Sequence, residues 1–309
     1  MHTTCYGGAS ETAIAIDDET LNQPETAAND EKSESWSQLA WTHLECVRNS
    51  SSAPLIQCIT NLVSMDLVAN VLLSAGASPG MIHSVEEIPD FTPKVRALYI
   101  NVGTLTPAWL PPMKMATAVA NDSKRPWVLD PVAAGASAFR LKACLELLTL
   151  GPTVVRGNGT EILVLFNGSA NANFKGADSM HESTDAFEVA KSLARTYGCI
   201  VAVSGAVDIV TDGERVVGAK NGVPMLQKIT ETGCAVTALI AAFVAVTPSQ
   251  PFEATAAALS VFGVAGELGM CSAGGPASLR MHLIDALHSL DRIAVLQRVK
   301  IANVSWYVS

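Results

Sequence analysis

The chain has 309 residues, 49% of them hydrophobic and only 6% aromatic, with a net charge of −9. A chain of this size buries roughly 75% of its unfolded surface, so it needs neither disulfides nor a structural metal, and so few aromatics argue against a stacking platform. Most of the negative charge sits in residues 1–35, where Glu11, Asp17, Asp18, Glu19, Glu25, Asp30, Glu31 and Glu34 are opposed only by Lys32, and the near-neutral remainder offers no basic groove for nucleic acid.

Residues 1–35 are polar, acidic and aperiodic, which predicts a disordered tail followed by a single folded domain over 36–309. The start lacks the basic-then-apolar profile of a secretory leader, and it is acidic with no arginine before Arg48, unlike an organellar transit peptide. The seven cysteines (5, 46, 58, 144, 199, 234 and 271) include no Cys-x-x-Cys pair, and the six histidines show no ligand spacing. A reducing compartment and a cytoplasmic, soluble protein are therefore expected. The longest apolar run, Cys234–Val246, is too short to cross a membrane.

In chain order, a helix is predicted over Trp36–Val47 and another over Met65–Ala75, ended by Gly76 as a left-handed cap. Strands are predicted at Ala77–Ile82, Ala97–Val102, Trp127–Leu129, Thr153–Val155 and Ile200–Val203. Helices Pro107–Asn121 and Thr184–Tyr197 lie between them. Asp208–Thr211 and Arg215–Ala219 flank Asp212-Gly213-Glu214 and read as a hairpin. Cys234–Val246, Pro251–Met270 and Pro276–Leu290 complete the helices. The alternation predicts an α/β fold with a mainly parallel sheet and helices on both faces, in which the loops at the carboxyl ends of the strands carry the ligands.

Those loops hold the residues that could do chemistry. Thr230-Glu231-Thr232-Gly233-Cys234 runs directly into a wholly apolar helix. A glycine there lets backbone N–H groups converge on an anion, in a positive field that favours a thiolate at Cys234. The alternative is a plain helix start, capped by Thr232 with Cys234 in the core. Asp130, followed by Pro131 and small residues, is placed to reach a magnesium ion beside phosphates, or simply makes an Asp-Pro turn. Arg156-Gly157-Asn158-Gly159-Thr160-Glu161 adds a phosphate-binding guanidinium and a carboxylate that could orient metal-bound water. Ser204 offers a hydroxyl at a strand end. Asn61 and Met81 suit a small, partly apolar ligand, although a core methionine is the commoner explanation. Walker A, G-x-G-x-x-G and G-x-S-x-G patterns are absent.

Taken together, CITN (58–61), GASPGM (76–81), NVGTL (101–105), LDPVAAGAS (129–137), RGNGTEI (156–162), SGAVD (204–208) and TETGC (230–234) resemble, in order, the hydroxyethylthiazole kinase family of the ribokinase-like superfamily, over about residues 45 to 300. The resemblance implies a three-layer α/β fold and magnesium- and ATP-dependent phosphorylation of a thiazole alcohol, in a homotrimer with its sites at subunit boundaries. It implies substrate contacts from Met81, Asn61, Glu231 and Gly233, and ATP contacts from Arg156, Ser204 and Asn158. Asp130 and Glu161 would organise magnesium and its water, and Cys234 would take or orient the hydroxyl proton. Glu231 departs from the family pattern, which carries glycine at that position. If the backbone needs a positive φ there, glutamate is strained; if only the main chain contacts substrate, the change is harmless, and it is read here as tolerated. A hydroxymethylpyrimidine kinase of the same superfamily usually carries aspartate in place of Cys234. A silent binding protein has no need of Asp130, Arg156, Glu161 and Cys234 together.

Overall fold

The computed structural model describes residues 25–168 and 183–304. Nine strands form one sheet: β1 (Leu55–Ile59), β2 (Ser78–Gly80), β3 (Ala97–Asn101), β4 (Trp127–Asp130), β5 (Val154–Asn158), β6 (Ile200–Ser204), β7 (Asp208–Thr211), β8 (Val216–Ala219) and β9 (Ile301–Ala302). Their order is β2-β1-β3-β4-β5-β6-β7-β8-β9. The first six are mutually parallel, and β7, β8 and β9 continue antiparallel.

Helices cover both faces, as the β-then-α alternation predicts. They are α1 (Glu25–Arg48), α2 (Met65–Ala75), α3 (Ile88–Phe91), α4 (Leu110–Asp122), α5 (Ala138–Leu148), α6 (Gly159–Gly168), α7 (Ser183–Tyr197), α8 (Thr232–Val246), α9 (Pro251–Met270), α10 (Pro276–Ser289) and α11 (Arg292–Arg298). The two-residue period of the strands sorts the core into two apolar layers. Ile56, Cys58, Ala97, Tyr99, Val128, Val154 and Ala202 pack with α1, α2, α8 and α9. Ile59, Leu98, Ile100, Leu129, Val155 and Val201 point the other way, onto α4, α5, α6 and α7. Helix α8 is buried on every side from Ala235 to Ala245, which explains its lack of a polar face. Among the described residues no helix is long and apolar enough to cross a membrane.

The structure departs from the sequence reading in several elements. Helix α1 starts at Glu25, inside the segment expected to be a disordered tail. Residues 25–35 include two alanines and three glutamates, which favour helix once a buried continuation anchors them. The first part of that expected tail, 1–24, lies outside the described residues. Strand β1 is missing from the strands predicted by sequence, because Gln57 interrupts the apolar run. Gln57 is fully buried, donating to Ile82 O at 3.0 Å and accepting from Thr92 Oγ1 at 2.7 Å. Helices α3, α5, α6 and α11 are absent from the sequence reading. α5 is announced only by Ser137, whose hydroxyl accepts from Arg140 N. The hairpin β7–β8 and the left-handed cap at Gly76 (φ 94°) form as expected.

Arg48, at the end of α1, donates to the carbonyls of Leu287, His288 and Leu290 at the end of α10, closing the helical layer with a cation at a helix C-terminus. Replacing it (Arg48→Ala) leaves those carbonyls unmet. The substitution is expected to destabilise the domain by about 1–3 kcal/mol in denaturant melts, with turnover at low temperature unchanged.

Candidate functional site

Strand periodicity places Asn101, Asp130, Arg156 and Ser204 at the carboxyl ends of four neighbouring parallel strands, all on the α8 face of the sheet. Asn101 pairs in register with Asp130, and Asn158 with Ser204. The first turn of α8 ends over this row. Its first-turn amides have no intrahelical acceptor, so they and the helix dipole favour an anion. Thr232 does not cap the helix: its hydroxyl donates instead to Leu226 O and Ile229 O, and the N-cap position is Glu231.

Two halves meet at that turn. In the first, Arg156 donates through Nε and Nη2 to Ser204 Oγ at 2.9 and 2.6 Å. The guanidinium also lies against Gly233, where a Cβ would come within 2.8 Å of Nη1 and would push the guanidinium aside. Arg156, Asn158, Ser204 and Gly233 line one cavity of about 680 Å³, whose apolar wall includes Leu226, Val236, Leu259 and Phe262. Asp208 closes the Ser204 loop by accepting from Gly205 N at 3.0 Å. Burial raises its pKa to about 6, against the pull of Gly205 N–H and Arg156.

In the second half, Cys234 Sγ receives Asn61 Nδ2 at 3.3 Å and Asn101 Nδ2 at 3.2 Å. Asp130, 1% exposed, accepts through Oδ2 from Asn101 Nδ2 (2.9 Å), Thr237 Oγ1 (2.9 Å) and Tyr99 OH (3.3 Å). Its Oδ1 is buried without a partner. Burial lifts the Asp130 carboxyl to about 7, partly offset by the Arg156 charge, while Glu161 adds to the rise. Glu161 Oε1 accepts from Ala133 N and Oε2 from Asn158 N, both at 2.8 Å, tying the Asp130 loop to the Arg156 loop. Asn158 Oδ1 in turn accepts from Glu161 N at the start of α6.

The thiolate expected at Cys234 from its helix-start position is not what the surroundings favour. Burial raises the thiol pKa, and the nearby Asp130 adds to it; the Asn61, Asn101 and Ser64 hydrogen bonds only partly oppose them. Met81 packs against the same helical core as Cys234. Asn101, Tyr99, Thr237 and Asp208 carry no role in the sequence reading. Asn101 was legible as the last in-phase residue of its strand, but Thr237 required knowing which face of α8 meets β4.

The sequence pattern of the hydroxyethylthiazole kinase family matches residues 45–292. The chain belongs to the hydroxyethylthiazole kinase family. It is 61% identical over 269 residues to the hydroxyethylthiazole kinase of Arabidopsis thaliana, covering 87% of this chain and 96% of that one. The solved structure of a hydroxyethylthiazole kinase protein from Pyrococcus horikoshii OT3 superposes with a TM-score of 0.78 at 38% identity, over 86% of this chain and 98% of that one. Bacillus subtilis pyridoxal kinase, solved as an ADP complex, shares the fold at a TM-score of 0.52 and 17% identity, over 70% of this chain and 92% of that one. The seven ordered motifs thus identify the family correctly.

The departure from the family pattern at Glu231 takes the strained form. Its φ is 84°, and of the three non-glycine residues with positive φ among those described, two, Ala133 and Glu231, border this site. The Glu231 carboxylate lies 3.5 Å from Arg280, which also pairs with Asp66. The backbone term can be isolated by comparing two variants that both lose the ion pair. Glu231→Gly is expected to be more stable than Glu231→Ala by about 1–2 kcal/mol, read from denaturant melts.

Proposed function

We propose that this kinase transfers the γ-phosphate of ATP to the primary alcohol of 4-methyl-5-(2-hydroxyethyl)thiazole, with magnesium. The observation that carries the reading is the meeting of an anion-binding half and a thiol-bearing half at one helix start. Arg156 and the amides beside Gly233 sit on one side of it, Cys234 on the other.

Phosphoryl transfer passes through a loose transition state, so alignment and charge neutralisation matter more than a strong base. Arg156, held by Ser204, binds the triphosphate, and the first-turn amides of α8 meet charge developing on the transferring group. Asn158 lines the nucleotide side of the cavity, and the apolar wall from Leu226 to Phe262 suits the base. Asn61, Met81 and Glu231 would contact the acceptor alcohol, with Gly233 at the junction of the two halves. Cys234 orients the hydroxyl and takes its proton as the new bond forms.

Magnesium fits the donor set. Among the described residues no three His, Cys, Asp or Glu could cage a metal, but magnesium beside a nucleotide needs only one or two carboxylates, with phosphates and water supplying the rest. Asp130 Oδ1 is a buried carboxylate oxygen without a partner, with Glu161 close enough to raise its pKa, and these two residues would hold the ion or its water. When bound, it would neutralise charge on the phosphates.

A homotrimer with the acceptor site at the subunit boundary is supported by exposed apolar side chains around that side. Leu62 and Val63, next to Asn61, are 64% and 55% exposed, and Met281, next to Arg280, is 55% exposed. The six described cysteines are all free, which suits a reducing cytoplasmic setting and leaves Cys234 available.

The direct test is ADP formation with ATP and magnesium, with the thiazole alcohol and with hydroxymethylpyrimidine as competing acceptor. Thiazole-dependent turnover is expected. Turnover with the pyrimidine alone would overturn the substrate, and thiazole binding without turnover would favour a silent binder. Cys234→Ser is expected to keep the fold and lose about 10- to 100-fold in kcat. Because the thiol pKa is raised and the thiolate is the base, wild-type kcat should climb with pH and go on climbing past the ordinary thiol value of about 8.5.

A further inference from the structure

Asn101 has no role in the reading above, yet it is 1% exposed and its carboxamide touches Cys234 and Asp130 at once. Its orientation is fixed from behind. Asn101 Oδ1 accepts from Gly103 N and from Asn61 Nδ2, both at 2.9 Å. Asn61 Oδ1 accepts from Val63 N at 3.1 Å and Ser64 N at 3.0 Å. Rotating either amide by half a turn would set its NH₂ against backbone donors, so both Nδ2 groups must face the sulfur. Gly103 makes this packing possible, since a Cβ there would lie 2.7 Å from Asn61 Cβ. The CITN and NVG motifs are thus two parts of one device.

Asn101 Nδ2 carries two hydrogens and faces three acceptors: Tyr99 OH at 2.8 Å, Asp130 Oδ2 at 2.9 Å and Cys234 Sγ at 3.2 Å. Asp130 Oδ2 keeps donors in Thr237 and Tyr99 when the amide turns away. One amide hydrogen is therefore free to serve the sulfur whenever the sulfur carries charge, and hydrogen bonds to charged partners are the strong ones.

We propose that Asn101 is a positioning residue for phosphoryl transfer, holding Cys234 Sγ in line as the proton acceptor, with Asn61 as its brace. In the step it supports, the O–H bond of the acceptor alcohol breaks as an S–H bond forms on the Cys234 thiolate. The oxygen electron pair makes the new O–P bond, and the old P–O pair leaves with ADP. This rests on the reading of Cys234 as proton acceptor.

The test uses the full chain carrying Asn101→Leu, which keeps the branched shape but has no donor, and Asn101→Ser, which is smaller and serves if the leucine variant does not fold. In a folded variant, kcat is expected to fall about 10- to 100-fold with KM for thiazole and ATP within about threefold. Alkylation of Cys234 by iodoacetamide, followed on its peptide by mass spectrometry, is expected to slow by about 10-fold relative to wild type. In a Cys234→Ala background the same substitution should change turnover by less than about threefold, since its target is gone. An additive loss in that background, an unchanged alkylation rate, or wild-type kcat in a folded variant would each overturn the proposal. If Cys234→Ala alone turns over like wild type, the reading of Cys234 has failed and the proposal falls with it. If Cys234→Ala is slow and the Asn101 variants are not, only the proposal has failed.

Discussion

The site depends on one packing constraint: a helix with no polar face has to be buried, and its only ordered outlet is its first turn. Helix α8 is enclosed by β1, β3 and β4 below and by α1, α2 and α9 around and above it. Full burial of side chains such as Leu239, Ile240 and Phe243 contributes about 1.5–3 kcal/mol each, so its placement is not adjustable. The consequence is a fixed helix N-terminus over the carboxyl ends of four parallel strands. Every side chain that could handle phosphate or proton reaches that point from a strand end or from the turn itself.

Polar groups placed at such a point carry costs that the core offsets. Asp130 is buried with one oxygen unmet, the Cys234 thiol is pushed up by burial, and Ala133 and Glu231 hold left-handed backbone conformations. Each would be selected against in a purely structural fold. Together they concentrate uncompensated polar groups and backbone strain at one point, as the proposed function requires. The carboxamides of Asn61 and Asn101 provide the reverse: donors fixed by backbone hydrogen bonds and aimed at the one sulfur.

Much of this was legible in the sequence because strand ends and helix starts leave local marks. Arg156 and Ser204 follow from β-branched runs ending in small or charged residues, Gly233 and Cys234 from a glycine at the start of an apolar helix, and the order of seven short motifs identified the family. Features that depend on tertiary packing left no such mark. Gln57 hid strand β1, since a buried polar residue looks like the end of a strand until its partners Ile82 and Thr92 are known. The Cys234 thiol was expected to be acidified by its helix start, because the extent of its burial cannot be read from an apolar neighbour list. Thr232 resembled a cap, but its hydroxyl had nearer carbonyls in the preceding turn. Asn101 was in plain view within NVGTL, yet its meaning emerges only from its register with Asp130 across β3 and β4.

On the proposed function, nucleotide and acceptor meet at the first turn of α8. A crystal structure with a non-hydrolysable ATP analogue, magnesium and the thiazole alcohol would show whether they do. The terminal phosphate is expected between Arg156 and the amides near Gly233, with the acceptor hydroxyl in hydrogen-bond reach of Cys234 Sγ. A terminal phosphate bound away from that turn, or a hydroxyl facing away from Cys234, would contradict it.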